Sequence, residues 1–128
     1  MFDAYALMQA QEQLGITDQQ YSQFLTRFKT LQDIRHRGLQ ERLRIIVELR
    51  RLANEAQPDE ARLKERMKAL EEADLRTTAE VRKAYEAIDQ MLDVRQQAKF
   101  RAFEEQMERR KLELLMRARQ ANRPNNQR

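Results

Sequence analysis

Few side chains in this sequence could support catalysis. Ser22 is the only serine, His36 is the only histidine and cysteine is absent, so neither a catalytic triad nor a thiol nucleophile can be assembled. The chain has two glycines and no Gly-rich phosphate loop. Adjacent carboxylates such as Glu71 and Glu72 lie in charged stretches, where a solvated helix surface is the simpler interpretation. We therefore predict that the protein is not an enzyme and uses no cofactor.

The single histidine offers the best case for metal binding. Asp33 lies three positions before His36, so a helix would place both on one face. A zinc site usually takes three or four ligands, and only a two-fold axis between two copies would supply them from this pair. The favoured interpretation is a solvent-facing histidine, and no metal site is predicted. Met67, Met91 and Met107 lie in apolar stripes, where methionine fills gaps in a core.

Arginine is concentrated in one stretch of the chain. Its guanidinium combines charge, hydrogen bonding and stacking, and its stem covers apolar surface. Exposed arginines around apolar side chains could therefore hold partly folded polypeptide. The alternative is a solvated face that pairs with acidic residues of the next helix. The candidate client-binding residues are Arg35, Arg37, Arg42, Arg44, Arg50 and Arg51.

The charge balance could also suggest a nucleic-acid partner. The chain has 25 basic and 21 acidic residues, and its sequence pI is about 9.7. However, the arginines are interleaved with glutamates, and few aromatic side chains lie outside the apolar stripes to stack on bases. No apolar run approaches the roughly 20 residues that cross a bilayer. We predict neither nucleic-acid binding nor insertion into a membrane.

Long helices must position these side chains. The chain has 128 residues, 36% of them charged, with two glycines and two prolines, which favours a single all-helical domain. Capping residues, apolar spacing and Pro58 predict helices over residues 3–14, 18–56, 59–92 and 94–121, with Gly15 ending the first. We predict one domain over residues 1–121 and a disordered tail over residues 122–128.

The two longest predicted helices are joined by only a few residues, so we expect an elongated antiparallel hairpin. One hairpin has a thin seam, and the stretch around Ile46 is apolar on more than one face. A homodimer would bury the second face, with Leu43, Ile46, Val47 and Leu49 as the candidate interface. Alternatively, the fourth helix folds back and covers it. The apolar stripe assigned to the second helix is Tyr21, Phe24, Phe28, Leu31, Arg35, Gly38, Leu39, Arg42, Leu43, Ile46, Leu49 and Ala53.

Gly38 weakens the second predicted helix. A glycine in the middle of a helix costs about 1 kcal/mol relative to alanine. It marks either a bend or a close helix crossing. On helix propensity alone, we expect Gly38→Ala to stabilise the fold.

A helix-start signature occurs twice, as Ile16-Thr17-Asp18-Gln19-Gln20 and as Leu92-Asp93-Val94-Arg95-Gln96. In each copy an apolar residue precedes an N-cap oxygen, and a glutamine follows at the third helical position. The cap oxygen can accept from the backbone N–H of that third residue, while the glutamine reaches back to the cap N–H. The sequence therefore predicts a capping box at both helix starts, formed by Thr17 with Gln20 and by Asp93 with Gln96.

Two such motifs in a short, Cys-free, Arg-rich helical chain resemble the LTxxQ-motif family of bacterial envelope proteins, the Spy/CpxP-like group with its heavy-metal-sensor relatives. Ile16 replaces the leucine of the first motif, and Asp93 replaces the threonine of the second. Aspartate is as good an N-cap as threonine. The resemblance implies a cradle-shaped homodimer that acts in the periplasm as an ATP-independent chaperone of the stress response, suppressing the aggregation of non-native client proteins. The alternative that it implies is a metal-responsive periplasmic sensor or stress-accessory protein of the same fold.

The periplasmic location is implied by the resemblance alone. Met1-Phe2-Asp3 has neither a basic segment nor a following apolar run of the kind that opens a signal peptide. If the resemblance holds, we expect Met1 to stand where a signal sequence has been removed.

Overall fold

The computed structural model describes residues 3–123 and is all-helical over that range. Its four helices are α1 (Ala4–Leu14), α2 (Asp18–Ala53), α3 (Glu60–Met91) and α4 (Val94–Ala121). The predicted all-helical class and its four helices are confirmed. The predicted tail begins with Asn122, whose N–H donates to the carbonyl of Ala118 at 3.1 Å and caps α4. Its residues 124–128 lie outside the described range.

Local sequence signals set the boundaries of the first helix and the start of the third. Asp3 and Asp59 each accept from the backbone N–H three residues on, at 3.1 and 3.2 Å. Gly15 ends α1 with a φ of 66°, in the left-handed region that glycine adopts most readily. The N–H of Ile16 then donates to the carbonyl of Gln11 at 3.1 Å, which completes a Schellman turn. This turn leads directly into the first capping box.

α2 ends three residues earlier than predicted. The predicted end is residue 56, but the last helical residue is Ala53. The N–H of Asn54 donates to the carbonyl of Arg50 at 3.2 Å, and that of Glu55 reaches back only to Leu52, at 3.4 Å. Proline at position 58 also disfavours helical geometry at residue 57. The tightened last turn and the proline together leave residues 54–59 as the connection to α3.

α2 and α3 contact each other along most of their lengths and run in opposite directions. Glu48 pairs with Arg62 at 2.8 Å, and Glu41 pairs with Arg76 at 2.7 Å. Residues later in α2 therefore pair with residues earlier in α3, as expected for two helices that run in opposite directions. These ion pairs border the seam between the two helices.

The side chains that α2 turns inward follow a seven-residue repeat. Two helices that pack along their lengths keep a period of about 3.5 residues, whereas a stripe drawn at 3.6 drifts off the seam after several turns. The predicted stripe turns Ile46 and Ala53 inward, and this is wrong because the structure buries the residue before each of them. The positions of this repeat are Phe24, Leu31, Gly38, Ile45 and Leu52, and the buried Phe28 lies between the first two.

Gly38 lies at a close helix crossing. A Cβ atom on this residue would come within 2.5 Å of Thr77 Cγ2 and 2.7 Å of Thr77 Oγ1. Of the two predicted roles, the close crossing agrees with this contact. The expectation that Gly38→Ala stabilises the fold is therefore reversed, because the added methyl group would collide with Thr77.

The core lies at one end of the molecule, which we call the motif end. Here the four buried phenylalanine rings have neighbouring centroids between 5.3 and 6.4 Å apart. The core comprises Ala6, Leu7, Ala10, Leu14, Ile16, Phe24, Phe28, Leu31, Ala84, Ile88, Leu92, Phe100 and Phe103. The opposite end, which we call the loop end, comprises residues 38–53 of α2 and 60–77 of α3. Its buried residues are Ile45, Leu52 and Ala73.

Candidate functional site

Both predicted capping boxes are present. Thr17 Oγ1 accepts from the N–H of Gln20 at 3.2 Å, and Gln20 Oε1 accepts from the N–H of Thr17 at 3.2 Å. Asp93 Oδ1 accepts from the N–H of Gln96 at 2.8 Å, and Gln96 Oε1 accepts from the N–H of Asp93 at 3.1 Å. Each copy therefore satisfies two N–H groups at a helix start that have no intrahelical partner.

The two copies also bind each other. Gln20 Nε2 donates to Gln96 Oε1 at 2.9 Å, and Gln96 Nε2 donates to Gln20 Oε1 at 2.8 Å. Each amide nitrogen also donates to the main-chain carbonyl two residues before the other copy's cap. Gln20 reaches Met91 at 3.3 Å, and Gln96 reaches Gly15 at 3.4 Å. The contact has local two-fold symmetry, and it is largely closed to water because Gln96 is only 6% exposed.

This pairing explains why both motifs carry glutamine rather than glutamate. A carboxylate could accept from the cap N–H, but only an amide can also donate to the other copy. The hydrogen-bonding capacity of both amides is used within the pair, so the contact joins α2 to α4 and leaves nothing for a ligand. The sequence predicts each box but not the contact between them. The amide at both third helical positions is the signal that could reveal it.

Arg35, the first candidate client-binding residue, belongs to the motif end. Its Nη1 lies 3.1 Å from both carboxylate oxygens of Glu104, and its Nη2 donates to the Tyr85 hydroxyl at 3.1 Å. Burial opposes the Arg35 charge, but the Glu104 carboxylate and the Tyr85 hydroxyl outweigh it and raise the pKa of the guanidinium. Burial and the nearby Glu104 carboxylate also raise the pKa of the Tyr85 hydroxyl. Arg35 therefore holds α4 against α2 and α3.

The other candidate arginines differ in their partners. Arg42 pairs with Asp74 of α3, in agreement with the alternative interpretation of a paired helix face. Arg44 and Arg50 are exposed and make no ion pair within residues 3–123. Arg37 and Arg51 make only long contacts with residues four positions away in the chain. Arg37 donates to the carbonyl of Asp33 at 3.4 Å, and Arg51 lies 3.9 Å from Glu55.

The exposed arginines surround uncovered apolar side chains on α2. Val47 is 63% exposed and Leu43 is 53% exposed. Residues three and four apart are neighbours on a helix, so Val47 adjoins Leu43 and three of the arginines. We call this surface the outer patch, and it consists of Leu39, Leu43, Arg44, Val47, Arg50 and Arg51.

α4 does not cover the outer patch. It packs on α1 and on the motif end, and every described residue from 108 onward is exposed. The alternative in which the fourth helix folds back over this face is therefore wrong for the single chain. Of the candidate interface residues, Leu43 and Val47 are exposed, whereas Ile46 and Leu49 are half-buried.

A shallow groove crosses α2 and α3 beside the outer patch. Met67 and Leu75 are more than half exposed within it, and Ile46 lies one helical turn from Arg42 at its edge. The ion pair between Arg42 and Asp74 spans the groove, so its surface combines apolar side chains with this paired charge and the Glu71 carboxylate. The lining residues are Arg42, Met67, Leu70, Glu71, Asp74, Leu75 and Thr78.

His36 and Asp33 are not joined by further ligands. Within residues 3–123, no group of three or more His, Asp or Glu side chains is placed to hold a metal ion. No observation in this part of the chain favours the metal-sensor alternative.

None of the helices between residues 3 and 123 has the length and apolar character needed to cross a bilayer. No family model, curated protein or solved structure matches the chain. The resemblance to the LTxxQ-motif family therefore stays a prediction that rests on the two motifs.

Proposed function

We propose that this protein is an ATP-independent periplasmic chaperone that binds partly unfolded proteins and suppresses their aggregation. The observation that supports this most is the outer patch, where exposed aliphatic side chains lie among arginines with a distant acidic partner or none. Single exposed leucines are ordinary on protein surfaces, but a contiguous set bordered by charge is typical of an interaction surface. The periplasmic location comes from the resemblance to Spy/CpxP-like proteins.

The outer patch would act through two forces of different range. Its arginines attract a non-native chain over about one Debye length, roughly 8 Å at physiological salt. Leu43 and Val47 then make weak apolar contacts, to which the arginine stems add area. The patch lies on one open helix face, so water is not shut out and affinity stays modest. A client could therefore fold while bound or leave, without ATP.

The proposed client surface is narrower than the run of six arginines in the sequence. Arg35 and Arg42 pair with acidic residues of α4 and α3. We therefore assign client contact to Arg44 and Arg50, with Arg37 and Arg51 beside them.

Aggregation of reduced α-lactalbumin, followed by light scattering, tests this assignment. The unchanged protein at near-stoichiometric amounts should delay aggregation without ATP, and Leu43→Gln with Val47→Gln should weaken the effect several-fold. The matched control is Leu112→Gln with Leu115→Gln, which removes two exposed leucines from α4 and should retain the activity. Equal activity of the outer-patch variant and the unchanged protein would contradict the assignment.

We further propose that α2 and α3 form an elongated antiparallel hairpin that pairs into a cradle-shaped homodimer. A dimer that buried Leu43 and Val47 would hide the outer patch, so we assign the contact to Ile46, Leu49 and the shallow groove. A seam only two helices thick leaves this groove open in the single chain, and a second copy would cover it.

The solution mass tests the dimer. Light scattering should give twice the 15.4 kDa of one chain. Met67→Gln with Leu75→Gln should shift the mass toward a single chain, whereas Leu43→Gln with Val47→Gln should not. A single-chain mass for the unchanged protein would rule out the dimer.

A further inference from the structure

The net positive charge of the chain is confined to the second half of α4 and the residues beyond this helix, because the basic side chains before it are balanced by acidic ones. Residues 1–107 contain 18 basic and 19 acidic side chains, whereas residues 108–123 contain six basic and two acidic ones. We call residues 108–123 the distal arm, and its net charge equals the +4 of the whole chain. Every residue of the distal arm is exposed. The molecule thus has a nearly neutral body and a basic projection.

The distal arm also exposes large apolar side chains next to unpaired cations. Arg110 lies over the ring of Tyr5, with its guanidinium carbon 5.0 Å from the ring centre, so the arm contacts the body at its base. Arg117, Arg119 and Arg123 make no ion pair within residues 3–123. The exposed apolar side chains are Leu112, Leu114, Leu115 and Met116, between 52% and 68% exposed.

We propose that the distal arm binds the surface of an anionic lipid bilayer. By their spacing, Leu112, Leu115 and Met116 share one helix face with Arg119 at its far end, and Arg110 and Arg117 lie on the opposite face. A helix of this kind lies in the plane of a membrane surface. Its aliphatic side chains enter the boundary of the acyl chains, and its cations meet the lipid phosphates. This mode of binding requires no helix that crosses the bilayer.

Two features favour lipid over a macromolecular partner. The face formed by Leu112, Leu115 and Met116 also carries Arg119. Packing this face on a second helix would bury the guanidinium, whereas on a bilayer its long side chain extends to the head groups. Nucleic acid would use the arginines but not the aliphatic side chains, and the arm has no aromatic ring to stack on bases.

Cosedimentation with vesicles tests the proposal, using phosphatidylglycerol and phosphatidylcholine in equal parts against phosphatidylcholine alone. Combined Arg117→Gln, Arg119→Gln and Arg123→Gln should weaken binding to the anionic vesicles on the order of 100-fold, since each arginine near such a surface contributes a factor of about five. Combined Leu112→Gln, Leu115→Gln and Met116→Gln should weaken it roughly tenfold or more, because the buried aliphatic area is lost. Added salt should weaken binding of the unchanged protein.

The charge-matched control combines Lys83→Gln, Arg95→Gln and Lys99→Gln, which removes three exposed cations outside both the arm and the outer patch and should leave vesicle binding unchanged. The proposal is overturned by equal binding to both kinds of vesicle, by equal losses in the arm variant and the control, or by tighter binding to an RNA oligonucleotide. The lipid proposal would also be overturned if an arm variant halved the solution mass of the protein yet still bound vesicles, because the arm would then join two copies of the chain. The chaperone assignment depends on the outer patch, so either proposal can fail without the other.

Discussion

The motif end and the loop end are built on the same two long helices, yet different interactions hold them together. At the motif end α1 and α4 join the pair, and aromatic rings and a buried amide pair fill the interior. At the loop end two helices alone form a seam with Ile45 and Leu52 inside and ion pairs along its edge. Two helices share only one interface, so the loop end leaves its other faces open. Stability concentrated at one end allows the other to expose apolar side chains.

Arginine shows the same contrast between the two ends. Arg35 at the motif end has its guanidinium held by Glu104 and Tyr85. Arg44 at the loop end has the same chemistry but no ion pair among the described residues. The surroundings, and not the residue type, decide whether an arginine holds helices together or remains available to a client.

The largest expected difference between the ends is in the cost of a cavity. Phe100→Ala should lower the free energy of unfolding by about 3–5 kcal/mol, and Ile45→Ala by about 2 kcal/mol. Phe100 is fully buried among three other rings and Tyr85, so the cavity cannot collapse, whereas Ile45 lies at a thin seam near solvent. Urea unfolding followed by circular dichroism measures both. Equal losses would show that the motif end is not the more tightly packed.

The amide pair gives the next largest effect. Gln96→Glu keeps an acceptor for the cap N–H but removes both donations, to Gln20 and to the carbonyl of Gly15. We expect it to lower the free energy of unfolding by about 2–4 kcal/mol, because a charge is buried opposite an acceptor. Gln23→Glu, an exposed change on α2, should have little effect.

Acidic pH sharpens the test of the amide pair. Burial would raise the pKa of the introduced carboxyl above its unfolded value of about 4.3. The folded variant would then bind a proton at a higher pH than the unfolded chain, so its deficit relative to the unchanged protein should shrink as the pH falls. A deficit that is constant down to about pH 4 would contradict a hydrogen-bonded role for this amide.

The smallest expected effect concerns the crossing between the two ends. Gly38→Ala should lower the free energy of unfolding by about 1 kcal/mol. The gain in helix propensity is about 1 kcal/mol, but the cost of the collision with Thr77 is larger. Combining it with Thr77→Ala should recover the loss, with Thr77→Ala alone as the reference in a double-mutant cycle. A more stable Gly38→Ala protein would mean that the helices can separate at this point without penalty.

Signals carried by neighbouring residues predicted most of the fold. Both capping boxes and the glycine at position 15 depend on contacts within a few residues, so the helix starts follow from the sequence. The sequence does not predict that Ile45, and not Ile46, faces the seam. Both residues are isoleucine, and only the packing of α2 on α3 selects between them. The contact between Gln20 and Gln96 joins residues 76 apart, and neither box alone predicts it. The sequence also does not predict the ion-pair partners of Arg35 and Arg42, because these partners are likewise far away in the chain.

The most direct test of the account is a map of where a client touches the protein. A photo-crosslinking residue at position 43 or 47 in the outer patch should form adducts with reduced α-lactalbumin during its aggregation. The same residue at position 99, which is exposed at the motif end, should form few. Adducts at position 99 and none at positions 43 and 47 would contradict the claim that the open face of the loop end binds clients.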